Sequence, residues 1–162
     1  MGIDPGSNVT GYGIVDSRDG AVRHIDNGAI SPQGRLPFPQ RLLAIHRELT
    51  GLIELHRPDA IVIESVFCAK NARSALILGH ARGVAMLAAQ AAAVPIAEYA
   101  PAQIKLALTG SGRADKGQMQ RMVRAILSLP EIACEDASDA LAAAICHCHT
   151  AGLTKSIEQL RG

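Results

Sequence analysis

Two apolar runs in this chain end in a carboxylate, and those two positions constrain the fold more than any other feature. Met-Gly-Ile-Asp-Pro-Gly closes the first on Asp4, and Ile-Val-Ile-Glu-Ser-Val-Phe closes the second on Glu64. Runs this short and apolar read as buried strands, the second in the middle of a sheet covered on both faces. A carboxylate at the end of such a strand is costly unless something positive meets it. A third motif, Asp-Ala-Ser-Asp-Ala, opens an alanine-rich helix with Asp136 and Asp139. Their spacing of three puts both on one helix face. Four hard oxygen donors from three distant segments suit Mg²⁺ or Mn²⁺ and suffice for two such ions, the arrangement that cuts phosphodiesters by in-line attack.

Each acid has a plainer reading. Asp4 suits a turn, with its side chain on its own backbone. Acids in a first helical turn favour the helix dipole, which accounts for one of Asp136 and Asp139 better than for both. A glutamate ending Ala-Ile-Val-Ile has fewer bland explanations. The joint occurrence carries more weight than any one residue. Gly6 is expected to let the backbone approach whatever Asp4 binds.

The rest of the chain reads as one α/β domain. Residues 1–4, 9–16 and 21–30 form an antiparallel meander, broken by Pro5-Gly6. A helix over 38–56 carries Leu42, Leu43, Ile45, Leu49, Leu52 and Ile53 on one side and ends at Arg57-Pro58. Strand 60–64 follows, then a helix over 71–93 whose alanines and glycines make it smooth-sided and suited to close packing. Strand 95–99 and helices over 101–109, 115–128 and 137–149 complete a single domain over 1–150, with residues 151–162 a loosely held tail. The order implies a mixed five-stranded sheet flanked by helices on both faces. With aromatics at only 2%, Ala, Ile, Leu and Val must fill the core. No apolar run is long enough and free enough of charge to span a bilayer, and no signal peptide is evident, so the expected location is the cytoplasm. Free thiols among the four cysteines fit a reducing compartment. Cys146-His147-Cys148-His149 lacks the spacing of a zinc site and reads as packing near a helix end.

A net charge of +1 speaks against a nucleic-acid partner until its distribution is considered. Residues 65–124 carry 8 basic and 2 acidic side chains, while 1–64 have net charge −2 and 125–162 net charge −3. A phosphate backbone needs local positive charge, which this middle third supplies. Lys70 and Arg73 follow Glu64 closely, and Lys105, Arg113 and Lys116 flank Gly110-Ser111-Gly112. Singly each is a solvated cation; as a set beside a carboxylate site they suit phosphate contacts. Phe67, in a loop after Glu64, suits either stacking on bases or capping the local core.

Taken together, Gly-Ile-Asp-Pro-Gly, Thr-Gly-Tyr-Gly, Glu-Ser-Val-Phe-Cys-Ala-Lys-Asn, Ser-Ala-Leu, Gly-His-Ala-Arg-Gly and Asp-Ala-Ser-Asp-Ala-Leu-Ala resemble the RuvC family of bacterial Holliday-junction resolvases over about residues 1–149. The resemblance implies an RNase H-like fold and a homodimer built on the long smooth helix. It implies paired symmetric nicks in two strands of like polarity at a four-way DNA junction, leaving 5′-phosphate and 3′-hydroxyl ends, in recombination and repair alongside RuvA and RuvB. Asp4, Glu64, Asp136 and Asp139 match the family's acids, Phe67 its junction-centre aromatic, and Lys105 and Lys116 its basic residues near the scissile phosphate. Some members carry histidine where this chain has Asp136. A non-cutting branched-DNA binder and a related nuclease on RNA or other branched DNA are the alternatives. An ATP-handling fold with the same Asp-x-Gly turn needs two such domains, more than this chain holds.

Overall fold

In the computed structural model, which describes residues 1–65 and 71–161, with side chains as far as Gly152, the expected α/β layers are present. Strands β1 (Gly2–Asp4), β2 (Thr10–Arg18) and β3 (Ala21–Ile30) form the antiparallel meander, and β4 (Ile61–Glu64) and β5 (Ile96–Tyr99) add in parallel to the other edge of β1. The sheet order is β3-β2-β1-β4-β5. Helix α1 (Phe38–His56) begins with Pro39 in its first turn and ends where Arg57 turns left-handed at φ 45° ahead of Pro58. Helix α2 is Ala72–Ala91, α3 is Pro101–Thr109, α4 is Lys116–Leu127 and α5 is Glu135–Arg161.

The two faces of the sheet are covered differently. Ile45, Leu49 and Ile53 of α1 and Ala85, Ala88 and Ala89 of α2 pack with Ile3, Ile61 and Ile63 of the sheet. On the other face Leu141, Ile145 and Cys146 of α5 pack with Val62 and with α3 and α4. Helix α5 is buried all round from Ala140 to Cys146, as a helix caught between a sheet and a further helical layer must be. Its approach is unusually close. A Cβ on Gly2 would lie 1.9 Å from the Ala140 oxygen, and one on Gly13 would lie 2.6 Å from Leu141 Cγ. The sheet strands under α5 therefore need glycine for want of room rather than for backbone freedom.

The helix opened by Asp136 and Asp139 differs from expectation at its C-terminal end. It continues to Arg161, well past residue 149, because the segment after Thr150 contains no proline. Cys134, Cys146 and Cys148 are free, with Cys146 buried against α3 and Cys134 exposed. Among the described residues no helix is long and apolar enough to cross a membrane.

Candidate active site

β1 and β4 are parallel neighbours in the register Ile3 with Ile63, so Asp4 and Glu64 leave the sheet together at its carboxyl end. Period-two alternation points both toward the face that Gly2 and Val62 share, the one that α5 covers. Glu64 is also paired in register with Tyr99, and Ser65 N–H donates to the Tyr99 carbonyl at 2.9 Å, which fixes the end of β4. On the other side of Asp4 the chain turns tightly. Thr10 Oγ1 donates to the Gly6 carbonyl at 2.7 Å and accepts from Gly6 N–H at 3.3 Å. A Cβ on Gly6 would meet the Val9 carbonyl at 2.1 Å. Gly6 therefore serves the turn itself.

Helix α5 brings the other two acids. Its start is anchored by Ser138, buried, whose Oγ donates to the Ala133 carbonyl at 2.9 Å. Asp136 and Asp139 then face the strand ends closely enough to act on Asp4. The Asp4 carboxyl is pushed up to about 7, first by burial, then by the charges of Asp139, Glu64 and Asp136. Glu64 is raised by burial and by Asp139, against the pull of Lys105 and Lys116. Asp139 is raised by burial, with Lys116 opposing. So the four predicted acids form one electrostatically coupled cluster.

Two lysines face that cluster. Lys105 of α3 and Lys116 of α4 line a cleft of about 240 Å³ with Glu64 and Asp139, floored by Ile104 and Met119. Lys116 Nζ lies 3.3 Å from Asp139 Oδ2 and is also ion-paired with Glu135 Oε1. Burial works against the charge on Lys116, but Glu135 and Asp139 outweigh it and raise its pKa. Lys116 is held at the first turn of α4 by a capping box: Gln118 N–H donates to Asp115 Oδ1 at 2.8 Å and Asp115 N–H to Gln118 Oε1 at 2.9 Å. Arg73, at the start of α2, and Arg113, before α4, are exposed and do not line the cleft. Phe67 and Lys70 lie outside the described residues. A larger hollow, about 1050 Å³, opens elsewhere, between the ends of β2 and α1 and the later turns of α5, and none of the four acids lines it.

Among the described residues no three metal-ligating side chains stand close enough to share an ion in their present rotamers. The donor set nevertheless fits a hard divalent cation. Four half-buried carboxylates face two ammonium groups, so the cluster is net negative when its acids are ionised, and burial, followed by neighbouring carboxylates, raises Asp4, Glu64 and Asp139. Sequence reading missed Glu135, the second partner of Lys116. It also missed the glycines that seat α5, although Gly11 and Gly13 at alternate positions of one strand signal a shared, uncovered face.

The family model described as "Crossover junction endodeoxyribonuclease RuvC" matches residues 1–147. The chain belongs to the RuvC family. Among curated RuvC proteins, that of Geobacter sp. (strain M21) is 50% identical over 161 residues, covering 99% of this chain and 98% of the relative. That of Alkalilimnicola ehrlichii is 51% identical over 154 residues, covering 94% and 92%. The structure of T. thermophilus RuvC in complex with Holliday junction substrate superposes with a TM-score of 0.89 at 33% identity, covering 94% of each chain. The yeast mitochondrial Holliday junction resolvase Ydc2, TM-score 0.67 at 16% identity over 91% of this chain and 76% of its own, shares the fold. As a RuvC protein the chain is an RNase H-like endodeoxyribonuclease that depends on a divalent metal.

Proposed function

We propose that this RuvC protein resolves Holliday junctions, as a homodimer, by nicking two strands of like polarity at symmetric positions. The observation that carries the reading is the convergence of Asp4, Glu64, Asp136 and Asp139 at the carboxyl ends of β1 and β4, in a chain that superposes on a RuvC bound to junction DNA. Hydrolysis joins a water oxygen to phosphorus and breaks the bond to the 3′ oxygen, which leaves as a hydroxyl and frees a 5′-phosphate. The four carboxylates are the groups that would hold Mg²⁺ or Mn²⁺, two ions per site. A bound divalent cation supplies Lewis-acid polarisation of the phosphate and a more acidic water.

The chain's own residues do the rest. Lys105 and Lys116 line the cleft beside Glu64 and Asp139, which supports their assignment as the groups that offset charge growing on the phosphate's non-bridging oxygens. Asp4, raised to about 7 by burial and its neighbouring carboxylates, would be the acid whose proton a bound cation most readily replaces. Phe67 and Lys70, which follow Glu64 in the sequence, and the exposed Arg73 and Arg113 are the groups we assign to stacking on bases and to contacts with neighbouring phosphates. On α2, Leu76 and Leu87 are 65% and 59% exposed and Gly79 and Gly83 have open space beside them, which supports its role as the dimer face. The work belongs to recombination and repair in the cytoplasm, with RuvA and RuvB as partners.

The test is cleavage of a synthetic mobile four-way junction, labelled on each strand in turn, with Mg²⁺ or Mn²⁺, by wild type and Glu64→Gln. Paired, religatable nicks lost in the variant while junction binding persists are expected. Binding without cutting in either metal would make the protein a junction-binding module. Equal cutting of linear duplex or RNA would assign it a different substrate.

A further inference from the structure

Lys116 has two anionic partners, and only one belongs to the acid cluster. Asp139 Oδ2, 3.3 Å away, lies inside it, with a side chain 32% exposed. Glu135 lies at the rim, with a side chain 65% exposed. Glu135 is the first residue of α5 and Lys116 the first of α4, so the pair also ties the starts of those two helices together. One ammonium thus stands between a carboxylate that a metal needs and a carboxylate that it does not.

That position matters when a divalent cation enters. A cation taken up by Asp139 and an ammonium on the same carboxylate repel each other, so the ammonium must move. The default destination of a flexible, strongly hydrated lysine head is water, which removes it from the cleft. Glu135 provides another destination, and Lys116 is already bonded to it. We propose that Glu135 is a positioning residue for Lys116: it retains the ammonium at the rim of the cleft when a divalent cation takes Asp139, and so lowers the cost of loading that cation, an assignment that rests on reading the four acids as the cation-holding set.

A plain surface charge on Glu135 would behave differently. Exposed ion pairs contribute little to stability, and an exposed charge is screened within about 8 Å at physiological salt. A relay through Lys116 instead makes the effect of Glu135 conditional on that lysine, which a double-mutant cycle isolates.

Mn²⁺ affinity should be measured directly, from the resonance signal of the free ion at near-physiological salt, for wild type, Glu135→Gln, Lys116→Gln and the double variant, with Asp4→Asn to identify the site being titrated. Glu135→Gln should weaken Mn²⁺ binding about fivefold in the wild-type background and less than about twofold in the Lys116→Gln background. Equal weakening in both backgrounds, or none in either, would overturn the role given to Glu135 while leaving the acid site intact. Absence of Mn²⁺ binding to the wild type, or binding indifferent to Asp4→Asn, would remove the acid site itself, and the role of Glu135 with it.

Discussion

Gly11 of β2 stands against the start of α5 so closely that a Cβ on it would come within 2.0 Å of the Asp136 main-chain oxygen. Backbone meets backbone there, and neither side has a flexible atom to move aside. Gly11→Ala must therefore push α5 off the sheet, carrying Asp136 and Asp139 away from Asp4 and Glu64. Overpacking of this kind costs roughly 1–3 kcal/mol or more. A shift of about 1 Å in catalytic groups costs on the order of 100-fold in rate. Chemical denaturation and junction cleavage should show both losses. Gly51, exposed within α1 and with open space beside it, is the control: Gly51→Ala should stabilise by roughly 0.5–1 kcal/mol and leave cleavage unchanged.

The same relationship separates what the sequence shows from what it conceals. Helix α1 spans Phe38–His56 as its apolar spacing and Arg57-Pro58 require, because both signals are local. The three acid motifs are equally legible, since a charge at the end of an apolar run is conspicuous without knowledge of its neighbours. Proximity across the fold is not written locally. Glu135 stands one residue from Asp136 and looks like another helix-opening acid until α4 places Lys116 beside it. Gly6 has a second role that its sequence position does not show, as the seat of the turn that Thr10 closes. The length of α5 was hidden for another reason: Gly152 reads as a stop signal, although Leu153, Ile157 and Leu160 keep the apolar spacing of a helix beyond it.

Thr10 holds the turn behind Asp4. It is fully buried, and its hydroxyl both donates to and accepts from the Gly6 backbone. Thr10→Val keeps the shape but leaves the partly buried Gly6 carbonyl and N–H without that partner, at a cost of roughly 1 kcal/mol. Thr10→Ser retains both bonds and should lose less. Urea unfolding of the two variants should rank them in that order, and cleavage should fall further in the valine variant because the turn positions Asp4.

Arg73 and Arg113 are exposed and lie off the acid cleft, which suits contact with phosphates flanking the cut rather than the cut itself. Replacing either with Gln should weaken junction binding about evenly across sequences and reduce the salt dependence by about one phosphate contact. The turnover rate at saturating junction should hold. Binding isotherms across a salt series, paired with single-turnover cleavage, distinguish this from Lys105→Gln. Lys105 lines the cleft with Glu64, and its loss should slow the cut more than it weakens binding.

Asp4 makes the metal-free protein sensitive to pH in an unusual direction. Its carboxyl rises from an ordinary 3.8 to about 7 on folding, through burial and then through Asp139, Glu64 and Asp136. The folded state therefore binds this proton more tightly than the unfolded state, and between the two values stability falls as pH rises. Glu64 and Asp139 shift the same way and add to the slope. Lys116 is also raised, but its change lies above this window, while the Met1 ammonium and His147, both lowered by burial, oppose the slope, so the comparison with Asp4→Asn isolates the part due to Asp4. In chelator, the melting temperature should climb by several degrees as the pH is lowered from about 8 to about 5.5, where most proteins gain little or lose. Asp4→Asn should flatten the climb, because an amide has no charge to desolvate, and should melt above wild type at about pH 8 while losing cleavage. Saturating Mg²⁺ should raise the wild type at that pH and leave Asp4→Asn nearly unmoved, since a ligand that binds only the folded state stabilises it in proportion to its affinity. A climb as steep in Asp4→Asn as in wild type would show that Asp4 is not held against its neighbouring carboxylates as the fold places it.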